Sequence, residues 1–113
     1  MTVKDLVDQL GFTAHAMPDG EREITGVYIG DLLSWVMGRA QDGDAWVTIM
    51  TNINVVAVAS LADVACVVLA ENVPIEAEVV ETAAAKGITL LRSAEPTFSL
   101  CKRIGELLDG EGV

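Results

Sequence analysis

Four short polar stretches interrupt an otherwise apolar chain and hold most of its candidate binding chemistry: Gly30-Asp31, Thr51-Asn52-Ile53-Asn54, Glu71-Asn72 and Ser93-Ala94. Each lies between a strand-like run and a helix-like run. Backbone N–H groups at the start of a helix have no intrahelical partner, so such junctions can hold an anion or a polar ligand atom. The side chains pull the other way, because Asp31 and Glu71 disfavour a densely charged phosphate and Arg92 is the guanidinium at a strand end. Asp31 and Glu71 could pair as acid and base or hold a hard cation, but two carboxylates on separate loops are a weak signal for either. The same residue types are also ordinary helix caps. On that reading Thr51 and Asn52 cap the next helix, Asn54 closes the turn, and Asp31 caps its own helix.

Catalytic constellations are missing from the sequence. His15, the one histidine, lies in FTAHAMP as a strand-end or loop residue with no Ser or Cys placed beside it by a motif. No nucleophile elbow and no G-x-x-x-x-G-K-[ST] phosphate loop is present. Cys66 and Cys101 stand in apolar settings and read as reduced packing residues. Trp35 and Trp46 flank the QDGD turn and read as core or interface aromatics, and Glu76, Glu78 and Glu81 as a solvated helix face. We therefore expect neither an enzyme nor a resident cofactor or metal.

Seven basic against seventeen acidic side chains give a net charge of −10. That balance repels phosphate backbones and anionic lipid surfaces, so nucleic-acid and membrane-surface roles are not expected. The oily run from Ile53 to Ala70 contains Asp63, whose carboxylate would cost about 2.5–3.5 kcal/mol at the centre of a membrane span, so a buried core explains the run better. MTVKDLVDQLG lacks the basic start and unbroken apolar stretch of an export signal, and a cytoplasmic location is expected.

The elements that must position these stretches alternate. Thr2 with Asp5 can cap a first helix that Gly11 stops. A strand begins over Phe12 to His15, MPDGERE is a loop, and ITGVYI is the second strand. LLSWVMGRA reads as a helix, WVTIM as a strand, residues 54–63 as a helix and CVVLA as the fourth strand. Pro74 can start the helix IEAEVVETAAAK, which Gly87 ends. ITLLRS is the fifth strand, PTFSLCKRIGELL a closing helix with Leu100, Ile104, Leu107 and Leu108 on one stripe, and GEGV a frayed end. Strands separated by helices of this length make βαβ units. The expected architecture is a single α/β domain over residues 1–113, a three-layer sandwich with a mainly parallel sheet of about five strands and helices on both faces. In such a sheet the four polar stretches share the edge formed by the strand carboxyl ends, where α/β proteins bind ligands.

The run GVYIGDLLSWVMGRAQDGDAWVTIMTNINVVAVASLADVACVVLAENV resembles a small stand-alone DRTGG domain, most specifically in GDLLSWVMG and WVTIMTNINVVAVASLAD, with similarity from about Ile24 to Ser93. Larger relatives include the N-terminal module of HPr kinase/phosphorylase and domains of phosphotransacetylases and CBS-domain pyrophosphatases. The resemblance implies a regulatory or oligomerising module and, through the pyrophosphatases, a nucleotide site. Where the family has Gly-Asp-Arg after the third strand this chain has Thr51-Asn52-Ile53, and where it has Thr-Gly-Gly after the fourth this chain has Ala70-Glu71-Asn72. The arginine and glycine pair that would suit a phosphate are thus replaced.

Two functional classes are carried forward. One is a ligand-sensing regulatory module that binds a small molecule, a nucleotide among the candidates, through Gly30, Asp31, Thr51, Asn52, Asn54, Glu71, Asn72 and Ser93. The other is a ligand-free adaptor that works through a protein partner, which the resemblance associates with fermentative hydrogenase and redox systems. In either case a homodimer is expected, because LLSWVMG and VVAVASLA show too little polar face for solvent-covered helices, with Trp35, Met37 and Val58 at the contact and Ala57, Ala59 and Ala62 allowing close approach.

Overall fold

A computed structural model describes residues 1–111 of the chain. In chain order it contains α1 (Val3–Leu10), β1 (Thr13–Ala16), β2 (Gly26–Ile29), α2 (Leu33–Arg39), β3 (Asp44–Thr48), α3 (Asn54–Ala62), β4 (Cys66–Leu69), α4 (Ala77–Ala85), β5 (Leu90–Arg92) and α5 (Thr97–Glu111). The strands form one sheet in the order β1-β5-β4-β3-β2. β2, β3, β4 and β5 run parallel, and β1 joins β5 antiparallel at one edge.

Side chains alternate across the sheet and divide the core in two. Ala45, Val47, Cys66, Val68 and Leu91 face the side covered by α1 and α5, which contribute Val3, Leu6, Leu100 and Ile104. Trp46, Val67, Leu69 and Leu90 face the side covered by α2, α3 and α4, which contribute Val36, Val55, Val56, Val79 and Ala83. Every residue of β3 and β4 is buried; β4 is a continuous apolar run, and β3 carries Ala45, Trp46 and Val47 between a buried Asp44 and a buried Thr48. This is the expected three-layer sandwich. Because the parallel strands succeed one another without reversal, right-handed crossovers place α2, α3 and α4 side by side on one face. The sheet therefore has no switch point among its parallel strands, and no crevice of the kind that opens there.

Several local readings hold. Thr2 and Asp5 form a reciprocal capping box at 3.1 Å each way, and Gly11 closes α1 at φ 72°. Cys66 is enclosed in the core, where burial pushes its thiol up to about 12, and Cys101 packs part-buried against the same cluster with its thiol also raised by burial. Trp46 is a core residue.

Others are corrected. α4 begins at Ala77 and not at Pro74; Val73 to Glu76 form an irregular lead-in, and Glu76 occupies the cap position without a side-chain cap. β3 begins at Asp44, two residues before the expected Trp46, because the Asp44 carboxylate turns back to accept from the Gln41 N–H at 2.8 Å and holds the QDGD turn against the strand. Gly110 and Glu111, expected as frayed, continue α5, while residues 112 and 113 lie outside the described residues. The largest change concerns α3. Val58 is 6% exposed and lies in the core with Val55, Val56 and Ala59, so it is not a contact for another copy. α2 and α4 flank α3 within the chain, and its exposed residues are reduced to Asn54, Ala57, Ser60 and Leu61. For α3, intrachain neighbours supply the cover that was expected from a dimer, while Trp35 and Met37 on α2 stay half exposed.

Candidate functional site

α3 and α4 leave the carboxyl ends of the adjacent parallel strands β3 and β4, so their first turns lie side by side. Between them opens a groove of about 360 Å³ lined by Thr51, Asn52, Ile53, Glu76, Glu78 and Val79. Its walls are built by simple local chemistry. Ile53 holds the cap position of α3 without a side-chain cap; Asn52, one residue before it, accepts from the Asn54 N–H through its side chain at 2.9 Å and from the Val55 N–H through its carbonyl at 3.1 Å, so Asn52 braces a tight turn leading into α3. Thr51 makes no such bond and leaves its hydroxyl to the groove. Replacing Asn52 by Ala is accordingly expected to cost about 0.5–2 kcal/mol in urea unfolding, and Thr51→Ala under about 0.5 kcal/mol.

Glu76 and Glu78 stand at the start of α4, where carboxylates complement the positive end of a helix. They make the groove acidic. Asn52 adds an amide, and the Ile53 side chain, 41% exposed, adds an apolar patch. Such a lining suits a neutral or cation-bearing molecule with an apolar face better than a bare polyphosphate.

The sheet does not gather all the predicted residues here. Asp31 does not cap α2; Leu32 occupies that cap position without a side-chain bond. The Asp31 carboxylate instead accepts from the Thr48 hydroxyl at 2.7 Å and the Ile49 N–H at 3.1 Å, tying the end of β2 to the end of β3. These bonds satisfy backbone and hydroxyl donors at the strand end that the next helix leaves open. Gly30 donates to the Val47 carbonyl at 3.2 Å and accepts from the Trp46 indole at 3.0 Å. A side chain at Gly30 would start 2.9 Å from the Tyr28 ring, so glycine is needed there for packing.

Glu71, Asn72 and Ser93 form a third group. Glu71 and Asn72 both adopt left-handed backbone, at φ 62° and 53°, and their N–H groups donate to the Glu95 and Ser93 carbonyls at 2.9 Å each. Non-glycine residues pay about 1–2 kcal/mol for that conformation, Asn less than Glu, so the loop holds two residues in a backbone that glycine adopts at lower cost. The buried Ser93 hydroxyl accepts from the Glu95 N–H at 3.1 Å and donates to the Glu95 carboxylate, which Arg103 holds at 2.6 Å. This group is knitted to the β5–α5 connection. Of the predicted residues, Thr51 and Asn52 line the groove and Asn54 braces it; Gly30, Asp31, Glu71, Asn72 and Ser93 are absent from its lining.

Glu76 and Glu78 are the site residues that sequence reasoning assigned to a solvated face. Two acids in the first turn of a helix adjacent to the polar stretch were a signal, but only strand order brings the two helix starts together. His15 lies on β1 and is absent from the groove lining. Its Nε2 is sequestered without a hydrogen-bond partner, and burial, with Arg92 as a lesser cause, lowers its pKa from 6.5. The unfolded chain therefore binds the proton first, and stability present above pH 6.5 drains away as the pH falls through the interval down to the folded value. Thermal melts from pH 7.5 to 5.5 are expected to show this loss, and His15→Leu to flatten it.

Among the described residues no three His, Cys, Asp or Glu side chains gather as a metal site, and no helix is long and apolar enough to cross a membrane. No curated protein matches the sequence. Among solved structures, the chain resembles the CBS and DRTGG domains of the regulatory region of Clostridium perfringens pyrophosphatase, complexed with its activator diadenosine tetraphosphate. The TM-score is 0.69 at 14% identity, over 89% of this chain and 44% of that one. This chain thus spans less than half of that structure, and the likeness is one of fold. The DRTGG domain model matches residues 5–107, more than the Ile24 to Ser93 expected. Since that match begins in α1, crosses all five strands and ends within α5, the chain belongs to the DRTGG domain family.

Proposed function

We propose that this chain is a non-catalytic regulatory module that senses a small molecule in the groove between the first turns of α3 and α4, and that it works as a homodimer. The groove is the observation that carries the reading: about 360 Å³, at the carboxyl ends of parallel strands, with an amide, two carboxylates and an apolar wall. The fold relative supports the sensing class, since its CBS and DRTGG domains form the regulatory region of a pyrophosphatase that takes a dinucleotide activator. In this chain Glu76 and Glu78 take the acidic role first assigned to Asp31 and Glu71. A nucleotide fits such a lining through its base and ribose, with its phosphates outside or accompanied by a metal ion.

Thermal melting with millimolar adenosine, ATP, ATP with Mg²⁺, and diadenosine tetraphosphate with and without Mg²⁺ tests this. A ligand present at a hundred times its Kd stabilises the folded state by about 2.7 kcal/mol, a shift of several degrees for a domain of this size. The expected result is a shift with adenosine, a larger shift with ATP when Mg²⁺ is present than when it is absent, and loss of both in Ile53→Arg, which fills the groove from an exposed position. No shift with any compound, or a full shift in Ile53→Arg, would overturn the groove assignment.

A further inference from the structure

The structure assigns the homodimer contact to the free edge of β2: we propose that two copies pair β2 to β2 antiparallel about a two-fold axis, so that one five-stranded sheet continues into the other. This rests on the self-association proposed above and gives it a location. β2 bonds to β3 on one side only and ends the sheet. Gly30 donates to Val47, so strand alternation directs the backbone groups of Val27 and Ile29 outward, to the open edge. Exposed edges are ordinarily blunted by charge, proline or a bulge. The opposite edge, β1, has such a bulge between Ala14 and Ala16. The β2 sequence Gly-Val-Tyr-Ile has none of the three.

The edge also has an apolar shoulder on each face. Ile29 is in register with Val47, so it and Ile49 lie on the α1 and α5 side, where they are 55% and 45% exposed. On the other side Leu32, Trp35 and Arg39, spaced three and four apart, share one flank of α2. Val36 turns the neighbouring stripe into the core, and the right-handed crossover sets the Trp35 flank above the β2 edge, away from α3. Leu32 and Trp35 are 54% and 52% exposed. These four side chains with the strand edge offer on the order of 500 Å² of apolar surface, at the top of what a monomer leaves bare and most of the roughly 800 Å² per partner that a stable dimer buries.

Charge favours a second copy at this place. The chain carries a net charge of −10, which repels its own kind over most of its surface. Asp31 and Arg39 at the β2 edge balance each other; the Asp31 carboxylate is taken up by Thr48 and Ile49, and the Arg39 guanidinium stacks 3.8 Å over the Trp35 ring. A two-fold axis at the edge needs only that the strand complement itself, which an uncharged antiparallel pair does.

Sedimentation equilibrium and amide exchange together test the pairing. At tens of micromolar the chain is expected to sediment at twice its 11.9 kDa, with slow exchange at the Val27 and Ile29 amides that quickens on dilution. Ile29→Lys and Trp35→Glu, both at exposed positions, are expected to give 11.9 kDa with unchanged circular dichroism, while Phe98→Lys, on an exposed part of α5, stays dimeric. A single-chain mass at all concentrations overturns both the pairing and the homodimer. A doubled mass with fast exchange at Val27 and Ile29, or one that survives Ile29→Lys, overturns the edge pairing and leaves the homodimer standing.

Discussion

Val58→Glu is expected to abolish the cooperative unfolding transition at neutral pH, leaving a chain without fixed tertiary signals. Val58 lies on the sheet-facing stripe of α3, 6% exposed, beside Val55 and Ala59. Losing the valine removes about 1.5–3 kcal/mol of burial. Placing an ionised carboxylate among the apolar side chains of this cluster adds several kcal/mol. A domain of this size is stable by only about 5–15 kcal/mol, so the sum removes most or all of it. Trp35→Glu is the informative comparison. Trp35 is half exposed, and beyond its proposed intersubunit contact it gives up the burial of its covered half and the stacking on Arg39, the latter worth about 0.5–1 kcal/mol at an exposed site. Retention of near-ultraviolet circular dichroism in Trp35→Glu and its loss in Val58→Glu would place one residue on the surface and the other in the core. A folded Val58→Glu chain would contradict the packing of α3.

Trp46→Ala is expected to cost about 3–5 kcal/mol, the range for removing a fully buried aromatic side chain. Trp46 is the largest completely enclosed side chain, central in β3 and packed under α2 and α3. Its indole N–H donates to the Gly30 carbonyl at 3.0 Å, so the truncation also releases the turn that carries Asp31 to the end of β3. Trp46→Phe keeps a ring in the core and loses that bond, which separates the two contributions; a cost of about 1–2 kcal/mol is expected. Urea unfolding followed by the fluorescence of Trp35, the other of the chain's two tryptophans, measures both variants. A cost below about 1 kcal/mol for Trp46→Ala would mean that the site collapses without a cavity, against the packing seen here.

The fold was legible because its determinants are local and repeated. The strand-like runs ITGVYI, WVTIM and CVVLA alternate with helix-length segments, and that pattern admits few arrangements other than parallel βαβ units. The capping box at Thr2 and Asp5 and the stop at Gly11 could be read from side-chain chemistry within one turn. The errors share a different cause. Asp31 was read as the cap of its own helix, yet its carboxylate spans to Thr48 and Ile49, seventeen and eighteen residues on, because the next strand's end lay within reach. Local capping loses where a neighbouring strand presents donors that nothing else satisfies. Val58 was read as an intersubunit contact because an apolar helix demands cover, and sequence does not say whether that cover comes from the same chain.

The sequence by itself determined the layers, the parallel crossovers, the acidic balance and the placement of polar stretches at strand ends, since each follows from side-chain periodicity, turn chemistry or summed charge. Only the tertiary structure decided which stretches meet. The order β1-β5-β4-β3-β2 sets the start of α3 beside the start of α4, so Thr51 and Asn52 share a groove with Glu76 and Glu78, some twenty-five residues away, and not with Asp31 or Ser93. It also left β2 at an open edge with apolar shoulders. The physical reason is that strand order rests on the summed burial of both sheet faces, a long-range quantity to which no single stretch of residues corresponds.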